Sequence, residues 1–307
     1  MWESFLTGHM NKLNMPPETI LSPQQWQPLA NQHAYRAEKL TRDHLARRKA
    51  GITHPVFDFL FEYYPIRVAH LQRWHPGVGI GLTGDCPQAS WRNYHTTHGV
   101  TTADINRLFH TRGDSIRYLK QLLIRTETNP VHFDCFGLHE WAMVYKTNSP
   151  RHNLPLRLGA AGSDAVVEAH SIRCTHVDAF RFFTPAARPL NLTVLNRQDQ
   201  PVSEQRACLH AAMDLYKWAA KLSPLVPGDL WLDCFELAWD ARILDMEASP
   251  YDCRAYGLGV VAIETPAGKA EYVERQRQLA QRATPLRNRL VEVISQAEQI
   301  KLVSADH

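Results

Sequence analysis

Three short stretches of the 307-residue chain set histidine beside carboxylate in apolar, aromatic company: His132-Phe-Asp-Cys-Phe-Gly-Leu-His-Glu-Trp141, Cys174-Thr-His-Val-Asp-Ala-Phe-Arg-Phe-Phe183 and Cys208-Leu-His-Ala-Ala-Met-Asp-Leu-Tyr-Lys-Trp218. A carboxyl buried among such neighbours rises in pKa unless it is partnered, and an adjacent histidine or arginine is the readiest partner. Such a site can hold a general base, or set a carboxylate against a developing positive charge. In the third stretch His210 and Asp214 lie four apart and share a helix face, which equally suits a structural pair. Arg181 near Asp178 reads either as a site cation or as a plain salt bridge. The chain has 16 histidines, and eleven of them fall between His54 and His176.

The same side chains offer metal donors: His132, Asp134, His139, Glu140, His176, Asp178, His210 and Asp214. No HExxH motif, HD doublet or recurring spacing gathers them. A metal-dependent hydrolase or oxygenase using this His/Asp cluster is therefore the alternative reading. The cysteines, Cys86, Cys135, Cys174, Cys208, Cys234 and Cys253, form no CxxC pair, which excludes a zinc ribbon or a thioredoxin-like site. Their apolar neighbours suit reduced core thiols in a cytoplasmic protein.

The elements that must position these residues are mostly helical. The pattern predicts a polar helix over Pro23 to Lys49, stopped at Ala50-Gly51, and a buried helix of about three turns over His54 to Pro65. Trp74 to Gly81 reads as a glycine-rich loop and Asp85 to Gly99 as irregular. Helices are predicted over Asp104 to Arg125, Asp134 to Lys146, Ser163 to His170, Ser203 to Leu222 and Asp229 to Ala248. A long terminal helix restarts at Thr284-Pro285. Leu190 to Leu195 and Val260 to Thr265 read as strands, and Ile172 to Phe183 fits either element. The fold class is mostly α with a small β element, in a single compact domain over residues 24–307 behind an N-terminal extension at 1–23. With 44% apolar and 21% charged residues the chain is too apolar to be disordered. No apolar run reaches membrane-span length. Met1 to Met15 lacks the basic-then-apolar pattern of a secretory signal.

A net charge of +3 makes any nucleic-acid affinity a matter of local patches. The helix from Arg36 to Lys49, with Arg42, Arg47 and Arg48, offers one basic stripe; Arg112, Arg117, Lys120 and Arg125 offer a second. Trp74 and Trp91, beside Arg73 and Arg92, could stack on or wedge between bases. The connection Pro224-Leu-Val-Pro-Gly228 invites comparison with a helix-hairpin-helix phosphate clamp, but Asp229-Leu230 stands where a second glycine belongs. Asp233, Glu236 and Asp240 share one face of the helix that follows.

Six strings together resemble a known family: His54-Pro-Val-Phe-Asp-Phe-Leu-Phe-Glu-Tyr-Tyr64, Leu71-Gln-Arg-Trp-His-Pro-Gly-Val-Gly79, Phe133-Asp-Cys-Phe-Gly-Leu-His-Glu-Trp-Ala-Met-Val-Tyr145, Cys174-Thr-His-Val-Asp-Ala-Phe-Arg-Phe-Phe-Thr-Pro185, Cys208-Leu-His-Ala-Ala-Met-Asp-Leu-Tyr-Lys-Trp218 and Asp245-Met-Glu-Ala-Ser-Pro-Tyr-Asp252. The family is bacterial, largely actinobacterial, and carries the label 3-methyladenine DNA glycosylase. The resemblance covers roughly residues 35 to 290. It implies a monomeric DNA glycosylase-like domain, without a cofactor, that flips a modified base out of double-stranded DNA and excises it, leaving an abasic site. The base would be an alkylated purine, in repair, or a hypermodified phage base, in defence. Cleavage then needs a carboxylate near the sugar, and Asp134, Glu140 and Asp178 are the candidates, with His139 and His176 holding or protonating partners. Phe136, Trp141 and Phe182 would wall the base pocket. Arg181 would contact phosphate or a base edge.

Overall fold

The computed structural model describes residues 17–303. Strand β1 (Thr19–Leu21) leads into α1 (Pro23–Lys49), and two single-turn helices, α2 (Phe59–Glu62) and α3 (Val68–Leu71), precede β2 (Ile80–Thr83), β3 (Tyr94–Thr97) and β4 (Val100–Ala103). Then follow α4 (Ile105–Thr128), α5 (Leu138–Ala142), α6 (Gly159–Glu168), α7 (Val177–Phe180), α8 (Gln200–Ser203), α9 (Leu209–Leu222), α10 (Gly228–Glu247) and α11 (Pro266–Val303). The chain is thus mostly α with a small β element, a four-stranded sheet in the order β1-β2-β4-β3, parallel only between β1 and β2. Of the expected N-terminal extension, the described part carries the sheet's edge strand and so belongs to the domain; residues 1–16, including the signal-peptide reading, lie outside the described residues.

The hairpin of α9 and α10 is the centre of the molecule. Both helices bury side chains around most of their circumference, because α4, α11 and α1 pack around them. The acidic stripe left on α10 is met by arginines: Arg36 reaches Asp233 at 2.8 Å and Arg289 reaches Asp229 at 2.9 Å, while Arg282 reaches Asp240 at 2.8 Å. The hairpin connection is no phosphate clamp. Leu225 and Val226 are buried, and the Gly228 amide donates to the His75 carbonyl oxygen at 2.9 Å.

Several elements are shorter than their apolar patterns predict. The His54–Pro65 segment is a series of turns with only α2 inside it, because the Asp58 carboxylate captures the His54 amide at 2.6 Å while His44 and Arg47 hold the same carboxylate at 2.8 and 2.9 Å. Asp134–Lys146 yields only α5. Ser163 lies inside α6 rather than capping it, its hydroxyl donating to the Gly159 carbonyl. The helix predicted from Ser203 starts at Leu209, and α11 runs unbroken through Pro285. Residues 260–265 are irregular, with a turn at 263–264, instead of a strand, and Leu190–Leu195 contributes one bridge, Ile172 to Asn191. Asp85–Gly99, read as irregular, contains β3. The six cysteines are free.

Asp58 gives the fold a pH signature. Burial would raise its carboxyl, but Arg47, His44 and the His54 amide hold it below the usual carboxylate value. A depressed folded pKa stabilises the protein above the unfolded value of about 4, and that stability is lost as pH falls through the folded value. Asp58→Asn is therefore expected to cost about 1–3 kcal/mol at pH 7. The gap from the parent protein should close below about pH 4 in urea titrations, as the parent carboxyl protonates.

Candidate functional site

Histidines from all three stretches converge inside the helical core. The chain enters α5 through Phe136 and Gly137, both left-handed with φ of 47° and 74°. A Cβ on Gly137 would lie 3.3 Å from both Ala248 and Tyr272, so the turn needs glycine. This turn delivers His139 and Glu140 to a buried cluster with His210 of α9 and Arg242 and Asp245 of α10. His139 Nε2 lies 2.8 Å from Asp245 Oδ1, and the other Asp245 oxygen accepts from Arg242 at 2.7 Å. Burial alone would lower the His139 imidazole, but its bond to Asp245 carries it well above its ordinary value. Burial, with the Asp245 charge, raises Glu140. The imidazoles and Arg242 outweigh burial at Asp245 and hold it well below the carboxylate range.

A second cluster adjoins the first through ring contacts. The His210 ring lies 4.5 Å from that of His139 and 5.3 Å from that of His176. Burial and the charge of His139 push His210 down to about 3. His176 caps α7 through its Nδ1, which accepts the Ala179 amide, and its Nε2 lies 3.2 Å from Asp214 and 3.4 Å from Glu204. Asp214 also accepts from the Tyr64 hydroxyl at 2.9 Å and from Lys217 at 2.6 Å. Burial would raise Asp214, yet Lys217 and His176 hold it far below its ordinary value.

Lys217 leads outward, its ammonium 3.2 Å from Asp178. Asp178 stands in a groove of about 550 Å³ whose lining includes Arg181, Arg188, Arg197, Lys217 and Lys221, with Tyr63 on the wall. Arg197 holds the same carboxylate at 3.2 Å. Two further cavities continue the groove. One shares Lys217 and Lys221 and adds Arg73, Arg92 and Trp91; the other shares Tyr63 and Arg181 and adds Arg151 and Phe182. The result is a run of cations interleaved with aromatic rings.

No family model, no curated protein and no solved structure matches this chain.

The structure separates the expected site residues into groups. His139, Glu140 and His176 meet in the interior, whereas Asp178 and Arg181 line the groove. Arg181 is not the partner of Asp178: it lies over the rings of Phe182 and Tyr63, at 4.6 and 6.0 Å from their centroids. Asp134 stays outside both places, half-buried and paired with Arg173 at 2.7 Å, because α5 starts four residues later than its pattern implied. His132 is exposed and lines a separate cavity of about 410 Å³. Trp141 is no pocket wall: it is fully buried, and its Nε1 donates to the Ala248 carbonyl at 2.9 Å. Phe136 packs against the core with Lys269 over its ring at 5.6 Å. Phe182 does line a cavity, with Arg151 over its ring at 3.8 Å. His210 and Asp214 share a face of α9 but do not pair with each other; Asp214 bonds to His176, Tyr64 and Lys217.

Both basic stripes are partly engaged within the fold. Arg36 and Arg47 serve Asp233 and Asp58, Arg112 donates to the Lys221 and Ser223 carbonyls, and Lys120 pairs with Glu298. Arg42 and Arg48 are exposed on α1, away from the Asp178 groove, although Arg48 borders another cavity. Trp74 packs with Trp26, Leu82 and Cys86 instead of presenting a wedge, while Arg73 lies over Trp91 at 5.4 Å. Asp245, Arg242, Glu204, Tyr64 and Lys217 were not singled out as site residues from sequence. Tyr64, Lys217 and Asp245 sit in strings that carry the family resemblance, and Asp245 also lies roughly where the trailing aspartate of a helix-hairpin-helix would fall. Among the described residues no helix is long and apolar enough to cross a membrane.

Proposed function

We propose that the protein is a DNA N-glycosylase that extrudes a modified base from double-stranded DNA, hydrolyses its N-glycosidic bond and leaves an abasic site. It would act as a monomer in the cytoplasm. The observation that carries the reading is the groove around Asp178, in which a single carboxylate stands among Arg181, Arg188, Arg197, Lys217 and Lys221. A run of cations matches the phosphates of a duplex. The half-buried Tyr63 gives an extruded base a ring to stack on. The resemblance of the six strings to the 3-methyladenine DNA glycosylase family supplies the reaction class.

The chemistry follows from Asp178. As the bond between the sugar C1′ and the base nitrogen lengthens, its electron pair leaves with the base and positive charge builds on the sugar. A carboxylate at that point stabilises the cation and orients the attacking water, whose oxygen bonds to C1′ as its proton passes to the carboxylate or solvent. Lys217 keeps Asp178 in place from below, while Arg197, with its side chain 61% exposed, is free to turn toward a phosphate. The substrate is an alkylated purine or a hypermodified phage base. Incubation with genomic DNAs carrying different modifications, followed by mass spectrometry of the released bases, names it; absence of any released base from all of them would overturn the reading.

The cations carry a separate expectation. Combined Arg181→Ala, Arg188→Ala and Lys221→Ala should weaken duplex binding uniformly across sequences. It should also reduce the slope of log K against log salt by about one for each cation removed. Titrations at several salt concentrations read this directly, and an unchanged slope would place the DNA elsewhere.

A further inference from the structure

We propose that His139, Glu140, His210 and Asp245 bind one divalent first-row transition ion of the zinc, iron(II) or manganese class, at a closed structural site beneath the groove. Their candidate donor atoms all lie within 4.8 Å of one another and come from three helices, α5, α9 and α10. Around an ion with bonds of about 2.1 Å, ligand atoms stand roughly 3–4 Å apart, so small side-chain rotations close the set. Mixed imidazole and carboxylate donors suit this class of ion.

His210 supplies an independent argument. It is 8% exposed, and among the described residues its ring nitrogens have no hydrogen-bond partner, although the His139 and His176 rings flank it. A metal ion gives the free imidazole lone pair its partner. Charge points the same way: Glu140 and Asp245 share Arg242, whose Nη2 is itself unpartnered. The ion would enter between His139 Nε2 and Asp245 Oδ1, displacing the proton of their 2.8 Å hydrogen bond to solvent.

The four side chains line none of the cavities that form the groove, so substrate does not reach the ion. Its role is to fasten α5, α9 and α10 together and to fix the His210–His176–Asp214–Lys217 chain on which Asp178 rests. This proposal does not depend on the reaction assigned to the groove.

The test uses the full chain, stripped with a chelator and then dialysed against Zn²⁺, Mn²⁺ or, anaerobically, Fe²⁺. Elemental analysis and thermal unfolding are the readouts. At least one ion should remain at about one equivalent per chain and raise Tm by about 5 °C or more. His210→Ala leaves a cavity and should lower the Tm of the stripped protein while keeping its circular dichroism, but it should lose the ion and show no Tm rise relative to its own stripped form. Glu140→Gln, which preserves volume, should weaken retention as well. Only trace metal from all three ions, or unchanged stoichiometry and Tm rise in both variants, would overturn the site.

Discussion

Asp178→Asn is expected to slow base release from a modified duplex on the order of 10³-fold, the scale seen when one charge-stabilising group is removed from a preorganised site. The substitution keeps the side chain's size and most of its hydrogen-bonding capacity, so the fold should survive. Duplex binding should hold or tighten, because Lys217 and Arg197 lose the carboxylate that each holds at 3.2 Å. This split between rate and affinity separates a chemical role from a structural one, since a merely structural residue would lower both through misfolding. Asp134→Asn is the contrast: its carboxylate is half-buried against Arg173 and lies outside the groove, so single-turnover rates should stay within about twofold. Full activity in Asp178→Asn would move the chemistry out of the groove altogether.

Much of the helical framework was legible in sequence. The helices α1, α4 and α10 combine a long periodic pattern with clear ends, and Asp104 caps α4 by accepting the Arg107 amide at 2.9 Å. The failures share a cause. Where apolar and aromatic residues are dense, as in His54–Pro65 and Asp134–Lys146, periodicity cannot tell a long helix from turns packed into the core. Local polar contacts then decide the outcome: the Asp58 carboxylate captures the His54 amide, and Phe136–Gly137 turns left-handed.

The candidate site was legible only in part, for a related reason. That three histidines recur beside carboxylates is visible along the chain; that the His210 ring sits between those of His139 and His176, edge-on to the first and stacked on the second, is a tertiary fact. Asp245 and Arg242 lie on a helix whose pattern reads as ordinary core, and nothing local marks them as partners of α5. Proximity in sequence also misleads about charge. Arg181, three residues from Asp178, turns to Phe182 and Tyr63, while the carboxylate takes Lys217 from 39 residues away. Trp141 shows the same ambiguity for aromatics, since a ring beside a histidine suits a pocket wall and a core equally well.

Glu127→Ala is expected to be among the most damaging single changes for stability, at about 3–5 kcal/mol, the cost of leaving a buried charge unpaired. Arg287 sits on α11 at 0% exposure, and its guanidinium donates to the Glu127 carboxylate at the end of α4. Thr284, one turn earlier on α11, donates to the same carboxylate at 3.1 Å. Arg287 has no slack, because its Nε and Nη2 are already without partners. Burial pulls its pKa down and the Glu127 charge opposes that, so the pair holds α4 against α11 at the price of two desolvated ions. The reverse deletion should be milder: Arg287→Met leaves a carboxylate that is 20% exposed and has Arg206 at 3.5 Å. The double variant Glu127→Ala/Arg287→Met should regain most of the loss, since an apolar pair replaces a buried ion pair at little net cost. Thermal unfolding of the four proteins reads this as a fall in Tm of roughly 10 °C for Glu127→Ala and a much smaller one for the double variant. Strictly additive losses would show that the two side chains do not depend on each other.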